Sequence, residues 1–192
     1  MEPLFVSTLV VAIAEIGDKT QLLALLLAAR FRKPVPIILG ILVATIANHA
    51  LAAWAGAAVA AWVGADVMRW VLGLSFLAMA AWIMVPDKVD DEPKMTAKAG
   101  AFLTTLVAFF LLEIGDKTQV ATVALAAKYN SLALVTAGTT LGMMAANVPA
   151  VLLGDVAATK IPLKLVHSVA AVIFAVMGVL VLMNVGDALA MK

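Results

Sequence analysis

The chain has 192 residues, of which 65% are hydrophobic and only 13% charged, and its mean hydropathy is +1.10. Soluble domains are about 45–50% apolar and about 25% charged, so this composition excludes an ordinary soluble protein. The formal net charge of +1, without a basic tract, gives no electrostatic footprint for nucleic acid. Since the chain has no cysteine, disulfides and thiolate metal sites are also excluded.

Apolar stretches of about 20 residues, the length that crosses a hydrocarbon layer, recur along the whole chain. They predict an all-α integral membrane protein with six transmembrane helices, at about 4–29, 35–61, 67–85, 99–127, 131–154 and 163–185. The longest polar stretch contains two prolines and several acids. We interpret it as a cytoplasmic linker over 87–98 that joins repeat 1 (1–86) to repeat 2 (99–192).

The two predicted halves share one heptapeptide. The sequence at Glu15–Gln21 recurs unchanged at Glu113–Gln119, 98 positions later. Glycine and phenylalanine matches at the same offset extend the repeat past the first helix of each half. Because each half has an odd number of helices, the second half enters the membrane from the opposite side. This predicts two inverted three-helix repeats, the plan of many secondary transporters.

Basic residues in the short loops predict the orientation of the chain. One side of the predicted bundle collects Arg30, Arg32, Lys33, Lys88, Lys94, Lys98, Lys160 and Lys164, whereas the other has only Arg69, Lys128 and Lys192. The richer side is predicted to face the cytoplasm. Both termini would then lie outside a cytoplasmic, or inner, membrane.

Each heptapeptide carries three charges inside a predicted helix, where one charge costs about 2.5–3.5 kcal/mol. On a regular helix the two acids of a motif lie about 60° apart, so they share one face. Together the motifs contain four acids and two lysines, a surplus of two negative charges that one divalent cation or two protons would neutralise. The predicted metal ligands are Glu15, Asp18, Glu113, Asp116, Gln21 and Gln119. Carboxylates that release the cation must take up protons in the apolar interior, which favours exchange for protons.

Weaker candidates surround these six residues. Second-tier ligands are Asn48, His49, Asn147, Met143, Thr20 and Thr118. The two threonines point about 160° from the aspartates on a regular helix, so their ligation would need a distorted helix. Lys19 and Lys117 are predicted to balance charge. Polar residues near helix ends are predicted to contact lipid headgroups: Asp66, Arg69, Asp155, Lys160 and His167.

The doubled motif Glu-x-Gly-Asp-Lys-Thr, the six predicted helices and the acidic linker closely resemble the Gdt family of membrane cation transporters. Both copies of the motif fit the family signature, and the resemblance covers nearly the whole chain. It implies antiport of Mn²⁺ or Ca²⁺ out of the cytosol in exchange for H⁺, with the motif acids as ligands. The compact size is similar to that of the bacterial manganese exporters in the family.

Other functions stay open at this point. A Ca²⁺:H⁺ antiporter is the nearest alternative to a Mn²⁺ exporter, although His49 and Met143 favour manganese because calcium prefers six to eight oxygens. A membrane-embedded metal hydrolase could use paired acids, but the chain lacks a His-Glu-x-x-His pair, and we predict that it is not an enzyme. An accessory subunit is a further alternative. We expect no cofactor; the predicted partners are a divalent metal ion, protons and the lipid bilayer, with monomer and homodimer both open.

Overall fold

The computed structural model describes residues 1–85, 100–153 and 163–184. Within these ranges the chain forms eight helices and no strand, which confirms the predicted all-α class. The helices are α1 (Glu2–Glu15), α2 (Lys19–Phe31), α3 (Pro34–Trp62), α4 (Ala65–Trp82), α5 (Gly100–Glu113), α6 (Lys117–Tyr129), α7 (Leu132–Leu153) and α8 (Leu163–Leu182). The predicted linker 87–98, Asp155 and Lys160 lie outside the described residues.

The first helix of each predicted half is interrupted inside the motif. Helix α1 ends at Glu15 and α2 begins at Lys19, and the second copy breaks at the corresponding place between α5 and α6. The continuous helices predicted over 4–29 and 99–127 are therefore wrong. The predicted angle of about 60° between the two acids of one motif is also wrong, because it assumed a regular helix.

Backbone conformation explains both interruptions. Gly17 has φ 81° and Gly115 has φ 77°, a left-handed conformation that glycine adopts at little steric cost. The next residues, Asp18 and Asp116, are extended and occupy the N-cap positions of α2 and α6. The Gly-Asp pair of the motif thus ends one helix and starts another.

The other four predicted helices agree with the structure to within about one turn. Among the described residues, three helical segments are long and apolar enough to cross a membrane: Pro34–Trp62, Leu132–Leu153 and Lys164–Leu182. Helices α1, α2, α5 and α6 have 13 or 14 residues each. At about 1.5 Å per residue, each of these reaches only about 21 Å, less than the hydrocarbon thickness.

The duplication seen in the sequence recurs in the packing. Helix α1 packs against α7, and its counterpart α5 packs against α3, the counterpart of α7. A Cβ atom on Gly138 would lie 2.5 Å from the carbonyl oxygen of Leu4, and one on Gly40 would lie 2.8 Å from that of Phe102. The two glycines are 98 positions apart, and so are the two residues that they contact. Each copy therefore supplies a glycine that admits the first helix of the other.

Polarity is distributed in the opposite sense to that of a soluble protein. Apolar side chains such as Phe5, Trp54 and Trp62 are exposed, while Asn48 and Asn147 are buried. An apolar exterior around an interior that includes polar side chains fits a lipid environment, in which exposed apolar surface carries no penalty. In the described ranges the chain is therefore all-helical, with a surface suited to a membrane.

Gly138→Val tests the close contact between α7 and α1. The new side chain would meet the Leu4 carbonyl and Ser7 Cβ, so we expect a loss of about 1–3 kcal/mol in stability. Ala137→Val adds the same side chain at an exposed position of the same helix, and should change stability by less than about 0.5 kcal/mol. Thermal unfolding in detergent measures both. Equal melting temperatures would contradict the packing.

Candidate metal-binding site

The motifs of the two copies meet inside the protein. Nζ of Lys19 lies 2.7 Å from Oδ1 of Asp116, and Nζ of Lys117 lies 3.9 Å from Oδ1 of Asp18. Each lysine is therefore paired with the aspartate of the other copy. The four motif acids are brought to one place in the interior, although their role as metal ligands stays a prediction.

All four acids are shielded from solvent. The exposed fractions of Glu15 and Glu113 are 0%, and those of Asp18 and Asp116 are 3% and 2%. Glu15 experiences the negative charges of the other three acids. Because the lysines lie against the aspartates, the formal surplus of two negative charges corresponds to the two glutamates.

The helix breaks place the aspartates at helix N-termini. Asp18 is the N-cap of α2 and Asp116 the N-cap of α6, and the backbone N–H of Thr118 donates to Oδ2 of Asp116 at 3.5 Å. A helix N-terminus carries a partial positive charge that stabilises a carboxylate. The capping bond helps to fix Asp116, whereas the Asp18 side chain makes no capping hydrogen bond to α2.

Gln21 and Gln119 bond to the backbone at the breaks. The N–H of Gly17 donates to Oε1 of Gln21 at 2.9 Å, and the N–H of Gly115 donates to Oε1 of Gln119 at 2.7 Å. Nε2 of Gln21 also donates to the carbonyl of Ala146 at 3.0 Å. These side chains satisfy donors that the interruption leaves without a helical partner. Their role as ligands stays a prediction.

Glu113 has two polar neighbours from different helices. Nε2 of His49, on α3, lies 3.7 Å from Oε2 of Glu113. The hydroxyl of Thr118 donates to the same oxygen at 3.2 Å. Thr118 reaches the acids because the helix is broken before it, so the angle of 160° that separated it from Asp116 on a regular helix does not apply.

Glu15, the counterpart of Glu113, has different surroundings. Asn147 occupies the position equivalent to His49 and lies near Glu15. Neither carboxylate oxygen of Glu15 has a hydrogen-bond partner among the residues that the structure describes. Nδ2 of Asn147 donates instead to the carbonyl of Met143 at 3.1 Å and lies 3.0 Å from its Sδ. This part of the site combines carboxylate, amide and thioether groups.

The remaining second-tier candidates are also buried. Nδ2 of Asn48 donates to the carbonyl of Phe110 at 3.0 Å, which ties α3 to α5. The hydroxyl of Thr20 has no hydrogen-bond partner in the described part of the chain. Both residues stay predicted ligands.

His167 is a site neighbour that the sequence did not predict. Its Nε2 lies 3.1 Å from the carbonyl oxygen of Ile16, the residue that follows α1. The headgroup contact expected for this residue stays a prediction. A broken helix leaves backbone carbonyls without a helical partner. The need for a polar side chain near Ile16 could therefore be predicted only once the break was known.

In this arrangement, no group of three or more His, Asp or Glu side chains within the described ranges is set up to hold one metal ion. Two of the four carboxylates are paired with ammonium groups. The site thus contains carboxylates of the kind that bind cations, but its two aspartates are in contact with lysines.

The sequence of each half identifies the family. A profile described as "Divalent cation/proton antiporter GDT1" matches residues 3–91 and 101–188, so both copies of the motif are included. The chain belongs to this family. Its membership confirms the resemblance noted from the doubled motif, and it identifies the protein as a transmembrane cation transporter.

Individual relatives agree with this assignment. A Vibrio cholerae serotype O1 protein with the name "Putative manganese exporter" is 54% identical over 178 residues, which cover 92% of this chain and 88% of that protein. Two rice proteins, from the indica and japonica subspecies and each named "GDT1-like protein 3", are 28% identical over 199 residues, covering 90% of this chain and 71% of theirs. No solved structure matches significantly.

Gly115→Ala tests whether the interruption between α5 and α6 depends on the positive φ of Gly115. A Cβ on Gly115 would meet no atom within 4 Å, so the expected loss of about 1–2 kcal/mol arises from the left-handed backbone alone. Gly115→Asn is the matched variant, because asparagine tolerates this conformation better and should cost less. Thermal unfolding measures the difference. An alanine variant as stable as the wild type would contradict a glycine-dependent break.

Proposed function

We propose that this protein exports Mn²⁺ from the cytosol in exchange for H⁺, by alternating access to a carboxylate site formed by both repeats. The observation that supports it most is the meeting of two copies of one motif, with Glu15 and Glu113 fully buried. In an apolar interior, surplus negative charge must be neutralised by a cation or a proton. A site that accepts either is suited to exchange one for the other.

The proposed architecture has six spans in two inverted repeats, 1–86 and 99–192, joined by a cytoplasmic linker over 87–98. In it, α1 with α2 and α5 with α6 each form one discontinuous span. Discontinuous helices that meet at an ion site near the bilayer midplane are typical of secondary transporters. The basic loops favour an inner-membrane protein with both termini outside.

The proposed primary ligands are Glu15, Asp18, Glu113 and Asp116. Their carboxylates supply hard oxygen donors, and the surplus of two negative charges matches one divalent ion. Gln21 and Gln119 lie next to these acids and could add amide oxygens, since an sp² oxygen has a second lone pair beyond the one that binds glycine. The protons that replace the ion would bind to the glutamates, because the aspartates already have lysine partners.

The neighbours of the glutamates favour manganese over calcium. His49 beside Glu113 and Met143 beside Asn147 offer imidazole and thioether groups. Calcium prefers six to eight oxygens, while softer ligands suit transition metals. The name of the Vibrio relative is consistent with this choice.

Reconstituted protein tests the exchange. We expect Mn²⁺ flux into or out of liposomes to follow an imposed pH gradient, and Asp18→Asn or Asp116→Asn to lower it. Loss of a group that hydrogen-bonds to a metal ligand typically costs about 10–100-fold, so loss of a direct ligand should cost at least about tenfold. Glu2→Gln, which removes an exposed acid at the first helix, is the control and should retain full flux. Flux that ignores the pH gradient would rule out proton coupling.

Ion selectivity is tested with Met143→Leu and His49→Asn. Both should lower Mn²⁺ flux relative to Ca²⁺ flux, because they remove the softer donors. Val151→Leu, a volume change at a buried apolar position on the same helix as Met143, controls for packing effects. If both site variants leave the Mn²⁺:Ca²⁺ ratio unchanged, the preference does not arise from these side chains. Wild-type protein that moves Ca²⁺ faster than Mn²⁺ would make a Ca²⁺:H⁺ antiporter the better assignment.

A further inference from the structure

The lysines of the motif lie in an unfavourable place for their own helices. Lys19 is the first residue of α2, and Lys117 is the first residue of α6. The N-terminus of a helix carries partial positive charge, so a cation there is destabilising rather than stabilising. Helix stability therefore does not explain a lysine at this position.

The contact that compensates for this placement comes from the other copy. Lys19 is paired with Asp116 at 2.7 Å, and Lys117 faces Asp18 at 3.9 Å. These aspartates are also proposed ligands of the transported ion. A carboxylate oxygen in contact with an ammonium group cannot bind a divalent cation without bringing the two cations within a few ångströms, where they repel.

The two lysines differ in the exposure of their side chains. The Lys19 side chain is 25% exposed, whereas that of Lys117 is 4% exposed. Nζ of Lys117 additionally donates to the carbonyl oxygen of Val85 at 3.3 Å. The Lys19 side chain is therefore partly accessible, while that of Lys117 is enclosed.

We propose that Lys19 competes with the transported cation for the carboxylate of Asp116. Its ammonium group pairs with Asp116 when no metal is bound and moves away when the metal binds. This inference rests on the proposed function, since it assigns Asp116 as a ligand. It gives the inter-copy ion pair a second role. Metal binding breaks a bond between the repeats, so occupancy of the site and the contact between the two copies become linked. Lys19 is a positioning residue in this scheme, because it acts on the metal through Asp116.

Chemical labelling of the full-length protein tests the release. Purified protein is treated with acetic anhydride, with and without saturating Mn²⁺, and the acetylated lysines are quantified by mass spectrometry. We expect acetylation of Lys19 to rise several-fold with Mn²⁺, while Lys117 stays weakly labelled. Exposed Lys33 serves as the internal reference. Unchanged or reduced labelling of Lys19 in protein that demonstrably binds Mn²⁺ would overturn the proposal.

Binding measurements on variants give a second readout. Lys19→Gln should bind Mn²⁺ roughly tenfold more tightly than wild type, because no ammonium group has to be displaced from a partly buried pair. Lys19→Arg keeps the charge and should bind as wild type does. A purely structural lysine predicts weaker binding for the glutamine variant, which would contradict displacement. If that variant does not fold, the labelling of wild-type protein decides alone.

The proposed function can fail separately from the lysine inference. Wild-type protein that binds and moves Ca²⁺ but not Mn²⁺ would remove the manganese assignment. The same labelling experiment with Ca²⁺ would then decide whether Lys19 is displaced. Wild-type protein that binds neither ion would overturn both.

Discussion

A charge in an interior without water needs a partner of opposite sign, and here the partners come from different copies of the repeat. The pairing of Lys19 with Asp116, and the looser pairing of Lys117 with Asp18, require two broken helices to lie side by side. The packing of α1 on α7 and of α5 on α3 holds them there, with glycines at the closest approach. The packing of each copy's first helix against the other copy and the assembly of the four acids therefore depend on each other.

Breaking a helix in a membrane creates a second requirement, because no water is present to bind the freed backbone groups. The N–H of Gly17 is satisfied by Gln21 of the same motif, and the second copy repeats this bond. The carbonyl of Ile16 lies against His167, which comes from α8 in the other half. The heptapeptide therefore encodes the break, the acid that follows it and the amide that caps it, which explains why seven consecutive residues recur unchanged.

The features that could be predicted from the sequence are those that depend on one continuous stretch of chain. Apolar runs located α3, α4, α7 and α8, and the repeated motif predicted two copies with buried acids. The break escaped prediction because hydropathy averages over a window, and residues 4–29 are apolar enough for one helix. The crossed ion pairs escaped it because spacing along one helix gives only neighbours within a copy. His167 had the same difficulty, since its partner is a backbone atom 151 residues away.

The scaffold repeats more faithfully than the polar groups around the acids. Glu113 has His49 and the Thr118 hydroxyl nearby, whereas Glu15 faces Asn147, whose amide is directed to Met143. In the proposed exchange cycle, identical neighbours would give the two access states the same affinity for the ion, because a two-fold operation would interchange them. Unequal neighbours remove that equality, so one state binds the ion more tightly than the other. An exporter benefits when the tighter state faces the cytosol, where the ion must be captured, and the looser state faces the side of release.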